Sequence, residues 1–191
     1  MTFRRLAVAL TLVVSACTST PGGEDRASPD PGLVAVAQDL CPVLWRWQLA
    51  VGGVANRMSA QTLDEPDAEV RSRVFEAAVA DIRGLNDTLA AQVRGVRPGP
   101  YSAILVTDVL DGLAMSNDVL DDLEARLATI EGPPRTYMAS VFHQIEKVID
   151  LAKPELAAYR DDAVIHAFLT VPHCQHGVKD ADDGVARYVE G

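Results

Sequence analysis

The side chains best suited to chemistry lie near the C-terminal end of this 191-residue chain. Three of its four histidines, His166, His173 and His176, fall in one short stretch, with Cys174 between the last two. Imidazole nitrogens and thiolate sulfur are ligands that zinc and copper prefer. The stretch therefore indicates a candidate zinc or copper site. His166 also lies in an apolar run, where a core histidine with one hydrogen-bond partner is the alternative.

His143 and Glu146 form a second candidate pair. Their spacing resembles the Gly-x-His-x-x-Glu motif of imelysin-like helical proteins of the bacterial envelope, which implies a metal site. Val141 stands where that motif has glycine. Helical spacing also turns His143 away from the apolar side of its segment. We therefore expect this pair on the surface.

Four aspartates, Asp108, Asp111, Asp118 and Asp122, raise the question of a cation site. At helical spacing they fall within about 80° of one another, roughly opposite the apolar stripe of the same segment. A calcium loop would instead need alternating acids around a central glycine on a turn. The spacing predicts a solvated helix face.

Trp45 and Trp47 are two residues apart, so they cannot both lie on the buried stripe of one helix. An exposed tryptophan can anchor a ligand or a partner protein. Packing under a bend at Pro42, or under the N-terminal segment, is the alternative for the outward ring. The pair is a candidate binding site.

Common catalytic motifs do not occur in the sequence. It has no nucleophile elbow, phosphate-binding glycine loop, His-Glu-x-x-His helix or Cys-x-x-Cys pair. We predict no catalytic residues. An enzyme whose site is assembled from distant positions stays open.

The N-terminus has the three parts of a secretory signal. Arg4 and Arg5 precede an apolar run, 6–14, which small residues follow up to Cys17. The run is about half the roughly 20 residues that a spanning helix needs. Val-Ser-Ala-Cys resembles the lipobox of bacterial lipoproteins, which implies cleavage after the signal peptide 1–16 and a diacylglyceryl group on Cys17.

The lipid would hold the protein to the outer face of a cell membrane. Residues 17–32, rich in Pro, Gly, Ser and Thr, predict a flexible linker with a reach of roughly 20 Å. Removal of the signal leaves 15 basic residues against 27 acidic ones, a formal balance of −12. This charge argues against nucleic acid as a partner and against adsorption of the protein surface to an anionic bilayer. The bias toward Ala, Val, Arg and Asp resembles proteins of high-GC actinobacteria.

Cys41 and Cys174 are the two cysteines besides Cys17. Disulfides persist outside the cytoplasmic membrane, so we expect these two to pair. A loop of more than about 100 residues stabilises a fold by up to about 5 kcal/mol in the chain-entropy model. A bridged Cys174 would be lost as a metal ligand.

Apolar residues recur at helical spacing throughout 33–178, which predicts an all-α domain. The pattern divides into four segments, which predict four helices. The second helix begins at Pro66, the third spans 102–131 and the fourth begins after Pro134. In an up-and-down four-helix bundle the chain ends lie together, as a disulfide between Cys41 and Cys174 requires. The last helix is then kinked at Pro154, or broken there into a short piece folded back at that end. Residues 179–191 are predicted to be a disordered tail.

Three hypotheses about function remain. The first is a membrane-anchored, non-enzymatic lipoprotein that binds an envelope protein or a small ligand through the bundle surface. The second is zinc or copper capture by the C-terminal histidines. The third is an enzyme with an unrecognised site, which convergent polar side chains in one pocket would favour.

Overall fold

The computed structural model describes residues 30–99, 101–127, 137–154 and 162–174. Every regular element in these ranges is an α-helix, which confirms the all-α prediction. The signal peptide, Cys17, His176 and the tail lie outside the described residues. The helices are α1 (Pro31–Thr62), α2 (Ala68–Arg94), α3 (Ser102–Leu127), α4 (Met138–Leu151) and α5 (Asp162–Thr170). None of them is both long and apolar enough to cross a bilayer.

Helix α1 begins at Pro31, so the last two residues of the predicted linker form its first turn. The Asp30 carboxylate caps this turn by accepting a hydrogen bond from the backbone N–H of Gly32 at 2.7 Å. Pro42 lies in the helix interior rather than in a first turn. The chain remains helical on both sides of Pro42, which places Cys41 and Trp47 on one continuous element.

Helix α2 begins at Ala68 rather than at Pro66, because Asp67 supplies the N-terminal cap. Its carboxylate accepts from the backbone N–H groups of Glu69 at 2.8 Å and Val70 at 3.3 Å. Helix α2 packs between α1 and α3. The buried residues of α2 are Phe75, Ala78, Val79, Ile82, Asn86, Leu89 and Val93.

The first four helices contact one another in a ring. Helix α1 packs on α2, α2 on α3, α3 on α4, and α4 on α1. Helices α2, α3 and α4 each run antiparallel to the helix before them in the chain. Two residue pairs show this for each neighbour: Asp39 with Arg97 and Trp47 with Asn86, Asn86 with Asn117 and Arg83 with Glu124, and Ser116 with Val148 and Gly112 with Leu151. This ring places α1 diagonally opposite α3.

The fourth helix is interrupted near Pro154, which is one of the two predicted alternatives. Helix α4 ends at Leu151, and α5 is a separate helix that packs on α1. With 14 residues, α4 is about 21 Å long, whereas α1 with 32 residues is about 48 Å long. Helix α4 therefore covers one part of α1, and α5 covers another. The kinked continuation of the fourth helix is not formed.

Candidate binding surface

A disulfide joins α1 to the turn that follows α5. Cys41 and Cys174 are bridged across a sequence separation of 133, with 4.8 Å between their Cα atoms. Both cysteines are fully buried. The predicted pairing is confirmed. It also removes Cys174 from the possible metal ligands, because a bridged sulfur carries no thiolate.

His173 shapes this turn and covers part of α1. Its φ of 71° lies in the left-handed region, which histidine adopts more readily than most residues. The backbone N–H of Cys174 donates to the carbonyl of Val171 at 3.3 Å and closes the turn. The imidazole of His173 stacks on the ring of Trp45, with 6.4 Å between centroids and 12° between planes. The turn that carries Cys174 therefore also brings an exposed imidazole onto the half-buried Trp45.

The two tryptophans have different environments, as their spacing predicts. Trp47 is only 5% exposed and belongs to the core. Its indole N–H donates to the side-chain oxygen of Asn86 at 3.1 Å. Trp47 is therefore closed to an outside partner, and Trp45 is the tryptophan that stays in contact with the surface.

Leu49 extends the exposed apolar surface by one turn of α1. It is 56% exposed, the largest exposed fraction among the large apolar side chains in the described ranges. Residues four apart on a helix are neighbours, so Leu49 lies beside Trp45. We call the group of Trp45, Leu49 and His173 the Trp45 surface. It combines aromatic, aliphatic and imidazole groups on one side of the molecule.

Two of the three candidate metal histidines, His166 and His173, lie in the described residues and have different surroundings. No group of three His, Cys, Asp or Glu side chains in these ranges is placed to hold a metal ion. His166 is half-buried on α5, whereas His173 is exposed and stacks on Trp45. His176 lies outside the described residues, so a site that includes it remains a prediction.

The other two candidate sites are solvated, as predicted. The Nδ1 atom of His143 lies 3.9 Å from an oxygen of Glu146, and their side chains are 75% and 74% exposed. Asp108, Asp111 and Asp118 on α3 are exposed, and so is Asp122. Helix spacing explains both findings, since these residues occupy the side of α4 or α3 away from the core.

Comparison with protein-family models, with curated proteins and with solved structures finds no match to this chain. The geometry of the Trp45 surface is therefore the only support for it as a candidate binding surface. A second feature, an open groove of ≈ 460 Å³, lies between the start of α1 and the end of α2. Its charged side chains, Asp39 and Arg97, pair with each other at 3.3 Å. A groove whose charges pair in this way offers no convergent catalytic groups.

Sequence reasoning missed a polar ladder that crosses three helices. The amide of Asn86, which is 1% exposed, accepts from Trp47 and donates to the side-chain oxygen of Asn117 at 2.9 Å. Asn86 lies on the same stripe as Ile82 and Leu89, so its polar side chain on an apolar stripe was the available signal. The ladder fixes the register of α1, α2 and α3, because each buried polar group needs its partner.

An ion cluster on the outer side of α2 also helps to fix the register of α2 against α3. The guanidinium of Arg83 donates to Glu124 at 2.8 Å and also to Asp121. The hydrogen bond to Glu124 is the largest cause that raises the pKa of Arg83, although partial burial opposes the rise. The cluster is structural, since Arg83 stays a cation at any physiological pH.

Proposed function

We propose that this chain is an exported lipoprotein, held to the outer face of a cell membrane by lipid on Cys17, and that it acts as a non-enzymatic binding module. The Cys41–Cys174 disulfide is the observation that carries the proposal. Disulfides persist in oxidising compartments and are rare in the cytoplasm. A bridge at 0% exposure between α1 and the turn that follows α5 is part of the folded core. The bridge therefore supports export, independently of the signal that the sequence predicts.

We also infer an up-and-down four-helix bundle in which α4 and α5 share the fourth position. The ring of helix contacts and the short length of α4 support this arrangement. The disulfide completes it by fastening α5 to α1. The bundle is a scaffold that presents the Trp45 surface on α1.

Binding through the Trp45 surface is supported by its composition. Aromatic side chains supply large contact areas at low entropic cost, and a few buried anchors of this kind give most of the energy of an interface. Leu49 at 56% exposure and the half-buried Trp45 are neighbours on one helix. The partner is an envelope component within reach of the anchor.

Site-specific photocrosslinking tests the binding role. A photoreactive residue at Leu49 in the lipidated full chain, in its native membrane, is expected to give adducts that the same probe at Asp118 does not give. Asp118 is an exposed position on α3, on the opposite side of the ring, and serves as the matched control. Equal adduct yields at the two positions would contradict a binding role for the Trp45 surface.

Cell fractionation tests the anchor. The wild-type chain is expected in the membrane fraction, and the Cys17→Ala variant is expected to remain uncleaved or to lose its lipid. Unchanged processing and membrane attachment of this variant would exclude lipidation at Cys17.

A further inference from the structure

Exposed acidic side chains are distributed unequally between α1 and α3. The exposed residues of α1 beyond position 40 include no acid; they are Arg46, Leu49, Asn56, Arg57, Ala60 and Gln61. The exposed side of α3 carries Asp108, Asp111, Asp118 and Asp122. Since α1 and α3 are diagonally opposite in the ring, the acidic side and the acid-free side face in opposite directions.

We propose that the partner of the Trp45 surface is the anionic phospholipid surface itself, on which the anchored protein rests with α1 toward the membrane and α3 away from it. This inference rests on the proposed lipid anchor at Cys17. The proposed function does not specify the partner of the Trp45 surface, and we identify that partner as phospholipid.

The position of the anchor favours this orientation. The lipidated Cys17 is 13 residues before Asp30, and α1 begins immediately after Asp30. Such a segment spans roughly 20 Å as a flexible chain. This reach allows α1 to lie along the headgroups, with Trp45 and Leu49 near the middle of the helix.

The side chains on this face fit a phospholipid surface. Leucine and tryptophan are common at the boundary between headgroups and acyl chains, and arginine binds lipid phosphates. Arg46 forms no ion pair with the described residues. Arg57 makes a long pair of 3.9 Å with Asp81, whose side chain is 63% exposed at the edge of the face. The face is thus weakly cationic and apolar at its centre.

A weak attraction is sufficient because the lipid already holds the protein at the membrane. Tethering converts adsorption into an intramolecular step with a high effective concentration. The anionic leaflet attracts the two arginines and repels the aspartates of α3, so both effects select the same orientation. The negative total charge opposes adsorption of a free domain but does not oppose this orientation of a tethered one.

Hydroxyl-radical footprinting of the lipidated full chain on vesicles tests the proposal. Leu49 on α1 and Met115 on α3 are matched reporters, because they are 56% and 53% exposed on opposite sides of the ring. The vesicles are phosphatidylcholine alone or phosphatidylcholine with phosphatidylglycerol, and flotation measures attachment in each. On vesicles with phosphatidylglycerol, labelling of Leu49 is expected to fall toward that of the buried Leu44, while labelling of Met115 stays unchanged.

Charge variants identify the cause of the protection. Arg46→Gln with Arg57→Gln is expected to restore labelling of Leu49 without changing flotation. Arg73→Gln with Arg94→Gln removes the same charge from exposed positions of α2 and is expected to leave the protection intact.

Three results would overturn the proposal. Unchanged labelling of Leu49 on chains that still float would refute the orientation and leave the lipid anchor standing. Protection of Leu49 that is the same on both kinds of vesicle and also appears without vesicles would show that copies of the chain associate through the Trp45 surface. Failure of the chain to float would refute the anchor, and the orientation with it.

Discussion

Gly112 on α3 packs directly against the backbone of Leu151 at the end of α4. A Cβ atom at Gly112 would overlap the carbonyl group of Leu151 and lie 3.0 Å from the Cα atom of Ala152. One turn later, the hydroxyl of Ser116 lies 2.8 Å from the carbonyl oxygens of Gly112 and Val148. These contacts bring α3 and the end of α4 close together.

Alanine at Gly112 is expected to destabilise the fold, because backbone atoms cannot move aside as a flexible side chain can. We expect a loss of about 1–3 kcal/mol in the free energy of unfolding. Gly84→Ala is the matched control, since a Cβ there meets nothing within 4 Å. It should stabilise α2 by about 0.5–1 kcal/mol. Urea denaturation measures both, and equal effects would show that the close approach at Gly112 is absent.

The polar ladder through Asn86 predicts strong coupling between two side chains. Asn86→Ala leaves the indole N–H of Trp47 buried without a partner, which costs about 1–3 kcal/mol. In a Trp47→Phe background that donor is gone, so the same change should cost less. A double-mutant cycle on the free energy of unfolding measures the difference. Additive effects would mean that the hydrogen bond contributes nothing to stability.

The buried disulfide is expected to contribute strongly to stability. It is also expected to be reduced slowly. Replacement of Cys41 and Cys174 by alanine removes a link across 133 positions and should cost up to about 5 kcal/mol in the chain-entropy model. Because both sulfurs are buried, reductant should open the bridge of the native protein only after local unfolding. Denaturation of the oxidised and double-alanine chains measures the first effect, and thiol alkylation over time measures the second. Rapid alkylation of the native protein would place the bridge at the surface.

A buried oxygen on α1 predicts a stabilising substitution. The side-chain oxygen of Gln48 has no hydrogen-bond partner among the residues that the structure describes. Gln48→Met keeps the length of the side chain and removes the unsatisfied group, so we expect a gain of about 1 kcal/mol. Gln38→Met, at an exposed position of the same helix, is the control and should have little effect. A loss of stability for Gln48→Met would indicate that the oxygen has a partner in solution.

Helix class, the disulfide and the solvated positions could be predicted from the sequence because each depends on local spacing or on residue type. The four aspartates of α3 and the pair of His143 with Glu146 are exposed for this reason. Cys41 and Cys174 were the only partners for each other once Cys17 was assigned to the lipid.

The remaining features depend on tertiary packing, which spacing within one helix does not encode. Asn86 is an example, since its amide is buried only because Trp47 and Asn117 satisfy it. Pro154 left two outcomes open because a proline can kink or end a helix. The stacking of His173 on Trp45 requires the turn that the disulfide holds, so the sequence indicated both residues without bringing them together.

The intact mass of the chain extracted from membranes of a bacterial host, measured with and without reduction, tests export, lipidation and the disulfide together. We predict a chain that begins at Cys17, carries the mass of a diacylglyceryl group on that residue, and gains two hydrogen atoms on reduction of the bridge between Cys41 and Cys174. A chain that retains residues 1–16, or one that begins elsewhere without lipid and carries two free thiols, would contradict an exported lipoprotein.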